Sequence, residues 1–188
     1  MKQILTILLI ALALTSYSQI YSSQKKLLGY DSIFDESNKK NSSSIGKPFP
    51  EFHINSNKAE FSNSCLKGKV VFINFWFSAC APCIAELEEL NKLYKDFKND
   101  KNFEFISFTF DDSLTIESMK KQYNIQYKVL SIPRTECYRL NLNNGFPTSA
   151  IVDKAGMLKY IHTGGEANDK EIKKFFKDHY YPLISAAL

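Results

Sequence analysis

The stretch that most limits what this chain can fold into is Val70-Val71-Phe72-Ile73-Asn74-Phe75-Trp76, together with the residues just after it. A run this continuously apolar reads as a strand covered on both faces, the signature of a parallel strand inside a sheet. Four residues later comes Cys80-Ala81-Pro82-Cys83. Behind it, Ile84, Leu87, Leu90, Tyr94 and Phe97 recur at steps of three and four, with Glu86, Glu88, Glu89, Lys92 and Lys95 on the other face. That is an amphipathic helix. Two thiols therefore sit where a buried strand hands over to a helix. A thiolate at a helix start gains from unpaired backbone N–H groups and from the helix dipole.

The rest of the pattern extends this unit. Phe49, Phe52 and Ile54 suggest a short leading strand after Pro48 and Pro50. Phe103 to Phe110 reads as a second long strand, and Ser113 as the cap of a helix over Leu114 to Tyr123. Tyr127 to Leu130 is a short strand, and Thr135 to Leu140 one or two helical turns. Ser149 to Val152 and Met157 to Ile161 flank Asp153-Lys154-Ala155-Gly156 as a hairpin. Asn168 is placed to cap a last helix with Ile172, Phe175 and Phe176 on its apolar side. Alternating strands and helices imply parallel pairing, and the hairpin adds an antiparallel pair. The expected fold is α/β, with a central mixed β-sheet flanked by helices on both faces.

The N-terminus reads as a targeting segment. Lys2 supplies a positive start, Ile4 to Leu14 a largely apolar stretch of 11 residues, and Ser16 and Ser18 small residues near a cleavage point. A membrane span needs about 20 apolar residues. Residues 1–18 are thus expected to be a signal peptide, and the mature protein to be periplasmic with no remaining span. Residues 19–44 are rich in Ser, Asn, Lys and Gln and read as a flexible segment. Residues 45–188 have the length of one domain. The net charge of +4 comes from interspersed lysines and acids. A solvated surface accounts for them, and nucleic acid is not an expected partner.

The chemistry centres on the cysteine pair. A lone CxxC serves as a redox pair, half a zinc site or a small structural disulfide. Zinc needs two further ligands, usually a second close pair, whereas Cys65 and Cys137 are isolated and His53, His162 and His179 scattered. A structural bridge over four residues constrains the unfolded chain little. In the redox reading Cys80, at the helix start, is the attacking thiolate with a lowered pKa, and its sulfur faces solvent. Cys83, one turn in, is shielded, and Pro82 fits the first turn without loss of a hydrogen bond. Cys80 opens a substrate disulfide to form a mixed disulfide, and Cys83 attacks that bond to release the reduced substrate. The same steps in reverse oxidise a dithiol. Gly145-Phe146-Pro147-Thr148, before a strand, adds an X-Pro bond that can be cis.

These motifs resemble the thioredoxin superfamily, and within it the exported TlpA/ResA-like thiol–disulfide oxidoreductases. The matching residues are Leu66-Lys67-Gly68-Lys69-Val70-Val71, Asn74-Phe75-Trp76, Cys80-Ala81-Pro82-Cys83 with Glu86, Gly145-Phe146-Pro147-Thr148 and Ile151-Val152-Asp153-Lys154-Ala155-Gly156. The resemblance implies a thioredoxin-like fold, a cis Pro147 beside the cysteine pair, and a Phe146 backbone that pairs with an extended substrate segment. It implies a substrate surface made of Trp76, Ala79, Ala81, Pro82, Phe146 and Pro147. It further implies protein thiols and disulfides as substrates, a membrane or periplasmic electron donor, and reduction as the direction, with cytochrome c maturation or thiol upkeep as the setting. No cofactor beyond the Cys80–Cys83 couple is expected, no metal, and a monomer.

Three departures qualify the resemblance. Ala79 stands where the family usually carries Trp. Asn74 stands where thioredoxins carry a buried Asp that helps deprotonate the second Cys. The group often supplies an acid after the next strand, where Asp111-Asp112 lies here. A buried acid at Asp112 would shuttle the Cys83 proton, whereas the plain alternative is a turn and a helix cap. Glu86 is expected to face solvent beside the site in a supporting role. Cys65 and Cys137 lie outside the shared motif, either bridged or free. Two other functions remain on the same residues: a peroxiredoxin-like peroxide reductase, although the approach to Cys80 lacks the usual Pro-x-x-x-Thr-x-x-Cys, and a non-enzymatic module that holds a partner or a metal.

Overall fold

The structure is a computed structural model, and it describes residues 37, 39–56, 59–166 and 168–188. The expected signal peptide and most of the segment 19–44 lie outside the described residues. The chain divides into two compact units, Met1–Lys40 and Asn41–Leu188, and the second carries the fold and the site. Residues 41–44, expected at the end of the flexible segment, are helical. Buried Asn41 ties them down: its Oδ1 accepts from Asn144 Nδ2 at 2.9 Å.

The order of elements is β1 (His53–Ser56), β2 (Ala59–Ser62), a 3₁₀ turn (Asn63–Leu66), β3 (Val70–Phe75), α1 (Ala81–Phe97), β4 (Phe103–Thr109), α2 (Ser113–Tyr123), β5 (Lys128–Ser131), α3 (Arg134–Leu140), β6 (Thr148–Val152), β7 (Leu158–Thr163) and α4 (Asp169–Phe175). A wide turn at Phe176–Tyr180 then leads into α5 (Tyr181–Ala187). Pro182 near the start of α5 has no N–H to continue an ordinary helical ladder, and the chain widens just before it.

Five strands form the central sheet in the order β5-β4-β3-β6-β7. β3 pairs parallel with β4 and antiparallel with β6; β4 and β5 are parallel, and β6 and β7 antiparallel. All six residues of β3 are buried, as its apolar run requires. Its side chains alternate between two cores. Val70, Phe72 and Trp76 join Leu87, Leu90 and Leu93 of α1 with Phe176, Tyr180 and Ile184. Val71, Ile73 and Phe75 join Cys137 and Leu140 of α3 with Phe49 and Phe52. Helices thus cover both faces.

One element was not anticipated. β1 pairs with β2 as a separate two-stranded hairpin, His53 opposite Ser62 and Ile54 opposite Phe61. Ala59-Glu60-Phe61-Ser62 carries a single large apolar residue, too little alternation to reveal a strand. Among the described residues no helix is long and apolar enough to cross a membrane.

Candidate active site

Parallel pairing brings the carboxyl ends of β3 and β4 together, and the site grows from that edge. Trp76 N–H donates to the Phe108 carbonyl at 3.2 Å, so the pairing runs one residue past β3. The chain then turns, with Cys80 N–H donating to Phe77 O at 3.1 Å. Asp111, just beyond β4, holds this turn. Its Oδ2 accepts from Ser78 N–H at 2.7 Å and from Thr109 Oγ1 at 3.1 Å, and its Oδ1 from Ser78 Oγ at 3.2 Å. Sequence reasoning grouped Asp111 with Asp112 and missed that role.

Cys80 occupies the N-cap of α1 and makes no side-chain cap hydrogen bond. Its carbonyl receives the first helical bond, from Ile84 N–H at 3.1 Å. Cys80 and Cys83 form a disulfide with Cα atoms 5.2 Å apart. Cys80 is 5 % exposed, so it does not face solvent openly as the sequence suggested, yet it remains more accessible than Cys83 at 1 %. Ala79, Ala81 and Pro82 around the pair are exposed. The Phe146–Pro147 peptide bond is cis. Phe146 meets Phe77 edge-to-face at 5.4 Å, which ties the proline loop to the turn before Cys80.

Trp76 does not belong to the substrate surface. It is fully buried in the core shared with Cys80 and Cys83, because its position continues the inward alternation of β3. Asn74 is buried in a neutral network: its Nδ2 donates to Ser149 Oγ at 3.2 Å and its Oδ1 accepts from Ser107 Oγ at 3.3 Å. The facing residues Ser107 and Ser149 in the sheet register supply those partners.

Asp112 is not a buried acid. It is exposed and caps α2, its side chain accepting from Thr115 N–H at 2.7 Å. That bond stabilises the charged form and lowers its pKa. Ser113, expected as the cap, is instead the first residue of the helix.

The acid beside the dithiol is Glu86. It does not face solvent: it is 3 % exposed, on the same side of α1 as Cys83, three residues away. Burial, reinforced by the nearby Glu166 carboxylate, pushes its pKa up to about 8. Its Oε2 has no hydrogen-bond partner among the described residues. The reason for its burial is a close approach that the sequence did not disclose. Gly165, after β7, lies against Pro82: a Cβ there would fall 2.9 Å from Pro82 Cβ and 3.6 Å from Glu86 Oε1. Only glycine lets the loop close over this part of the helix.

The other two cysteines are free, Cys65 exposed and Cys137 buried. Burial, with Asp111 nearby, pushes the Cys137 thiol up to about 12, so it holds its proton. A cavity of about 630 Å³ opens toward the other end of β3, among Phe52, Leu66, Val71 and Arg139, away from the cysteine pair.

A disulfide at a helix N-terminus, with a buried acid in the same helix and a cis-proline loop tied to the turn before it, can exchange with external thiols and disulfides. The model of the family described as Redoxin matches residues 44–177. This chain belongs to the Redoxin family. A curated relative, the thiol-disulfide oxidoreductase ResA of Bacillus cereus (strain ATCC 10987 / NRS 248), is 28% identical over 178 residues, 93% of this chain and 91% of that protein. The ResA of Bacillus thuringiensis subsp. konkukian (strain 97-27) is 28% identical over 137 residues, 71% of this chain and 77% of that protein. Among solved structures, a thiol:disulfide interchange protein of the thioredoxin family from Chlorobium tepidum TLS superposes with a TM-score of 0.58 at 23% identity, covering 74% of this chain and 94% of its own. This Redoxin-family chain has the thioredoxin-like fold and is a thiol–disulfide oxidoreductase.

Proposed function

We propose that this protein works outside the cytoplasm, after removal of residues 1–18, as a reductant of disulfides in other proteins. The observation that carries the direction is the burial of Glu86, three residues from Cys83 on the same side of α1. Cys83 is 1 % exposed, and a dithiol whose thiolate finds little stabilisation gives up its electrons readily. The largely apolar 11-residue stretch Ile4–Leu14 behind Lys2 supports the exported setting. A contribution to cytochrome c maturation or to thiol upkeep fits the same chemistry.

The reaction runs in two steps. The Cys80 thiolate, at the N-terminus of a 17-residue helix, attacks one sulfur of the substrate disulfide. The substrate S–S bond breaks, a Cys80 mixed disulfide forms, and the other substrate sulfur leaves as a thiolate that takes a proton. Glu86 then accepts the Cys83 proton, and the Cys83 sulfur attacks Cys80 Sγ. The second substrate thiol departs, and two electrons have passed from the Cys80–Cys83 pair to the substrate. A carboxylate with a pKa near that of a thiol exchanges protons with it almost without cost, the condition for efficient general acid–base work. In the oxidised form the protonated Glu86 is ready to return that proton to Cys83 when an external dithiol re-reduces the pair. Phe146, Ala79, Ala81 and Pro82 form the surface on which the substrate segment lies, and the buried Pro147 and the neutral Asn74 support it from beneath.

Insulin reduction driven by a dithiol donor tests this reading. Catalysed precipitation of the insulin B chain by the mature protein, lost in Cys80→Ser, is expected. Failure to accelerate reduction with any dithiol donor would overturn it.

A further inference from the structure

Beside the dithiol, on the β4–β5 side, four aromatic rings from four different segments converge. Phe77 and Phe110 stack at 5.1 Å; Phe146 stands edge-on to both, at 5.4 and 5.7 Å, and to Tyr138 at 5.3 Å. All four are half-buried. Arg134, exposed at the first position of α3, holds its guanidinium 4.7 Å from the Phe110 ring and 5.8 Å from that of Tyr138. Among the described residues Arg134 makes no ion pair. The chain's other arginine, Arg139, is held by Glu136 at 2.6 and 2.8 Å. Arginine, more weakly hydrated than lysine and planar, can stack on a ring and still pair with a carboxylate.

We infer that this platform is the specificity surface for substrate, and that it selects a disulfide cysteine flanked by an aromatic or large aliphatic residue with an acidic residue beyond it. The inference rests on the oxidoreductase reading and deepens it. Continuity sets the occupant: Phe77 lies three residues before Cys80 and Phe146 adjoins cis-Pro147, so a segment that presents its sulfur to Cys80 also covers the rings. Ala79 and Ala81 let that segment lie close. The rings supply apolar area and edge-to-face contacts, and the guanidinium a charge for a carboxylate. Across β3, past β7, stands Glu166, so acid is welcome on one side of the substrate cysteine only.

Short peptides whose single cysteine is disulfide-bonded to 2-nitro-5-thiobenzoate test this. Cys80 thiolate attacks the peptide sulfur, that S–S bond breaks, and the coloured thiolate is released; Cys83 then frees the peptide thiol. The peptides carry Phe or Ser next to cysteine and Asp or Lys two residues away, on each side in turn. With pre-reduced protein at low salt, Phe is expected to outpace Ser, and on one side Asp to outpace Lys by roughly three- to tenfold. Arg134→Ala should bring that Asp-to-Lys ratio to about one, and Arg134→Glu should invert it. Ratios are taken within each variant, so loss of overall activity does not blur them. Equal rates for all peptides, or a charge preference that survives Arg134→Ala, would overturn the inference and leave the oxidoreductase reading standing. Release from no peptide by the wild-type protein would remove both.

Discussion

Asp112 and Glu86 exchange the surroundings that their sequence positions suggested, and the reason is local. Asp112 meets an open helix N-terminus and water; Glu86 meets Pro82, Gly165 and the core. Release of thiol from a preformed Cys80 mixed disulfide should therefore rise with pH through an inflection near 8, the ionisation of Glu86. Glu86→Gln should slow that step at pH 7 by about a hundredfold, the lower end of what a positioned base contributes, and move the inflection upward. A superimposable profile would rule out the role. Asp112→Asn should leave both the profile and the stability unchanged, since Asn caps a helix as well as Asp does. Asp112→Ala should cost about 1 kcal/mol in urea unfolding, again with the profile intact.

At the scale of elements, the turn between β3 and α1 depends on Asp111, which accepts three hydrogen bonds from Ser78 and Thr109. Asp111→Ala leaves the Ser78 N–H without its acceptor. The expected loss is about 1–3 kcal/mol of stability with slower exchange, because Cys80 sits two residues further on. Unchanged urea midpoint and rate would show that the turn stands without this clamp. Elements with strong periodicity were legible in the sequence: β3, α1, β4 and the β6–β7 hairpin appear where their apolar spacing puts them. So was the dithiol, whose motif is local; the cis-proline followed from the family resemblance, since an X-Pro bond by itself allows either isomer. What escaped depends on contacts distant in sequence. Glu86 carries the polar label of a helix face, yet a loop nearly eighty residues later buries it through Gly165. Trp76 closes an apolar run that itself pointed to burial, and only the family resemblance placed it on the substrate surface. Asp111 and Asp112 are neighbours of one type, separated only by which backbone N–H each can reach. The Phe77–Phe110–Tyr138–Phe146 platform joins four segments that only the fold brings together.

The whole molecule should register the buried groups in its pH-dependent stability. Glu86 has its pKa raised from 4.5 to about 8, so the folded state holds a proton that the unfolded state releases, and its contribution is lost as pH rises across that window. His162 is opposite: burial first, then the His179 charge, lower its pKa from 6.5 to about 4, so its contribution is lost as pH falls from 6.5 to 4. Between pH 4.5 and 6.5 the two slopes oppose each other; above 6.5 only Glu86 acts. The oxidised protein should lose about 2 kcal/mol between pH 6.5 and 8, at roughly 1.4 kcal/mol per pH unit. Glu86→Gln should abolish that fall, and an unaltered slope in the variant would place the cause elsewhere. The same carboxyl underlies the claim that the molecule is a reductant, and the reduction potential of the Cys80–Cys83 couple tests that claim most directly. Equilibration with a dithiol redox buffer at pH 7 should give a value near that of thioredoxin, about −270 mV; a value near about −120 mV, that of a strong oxidant, would contradict it.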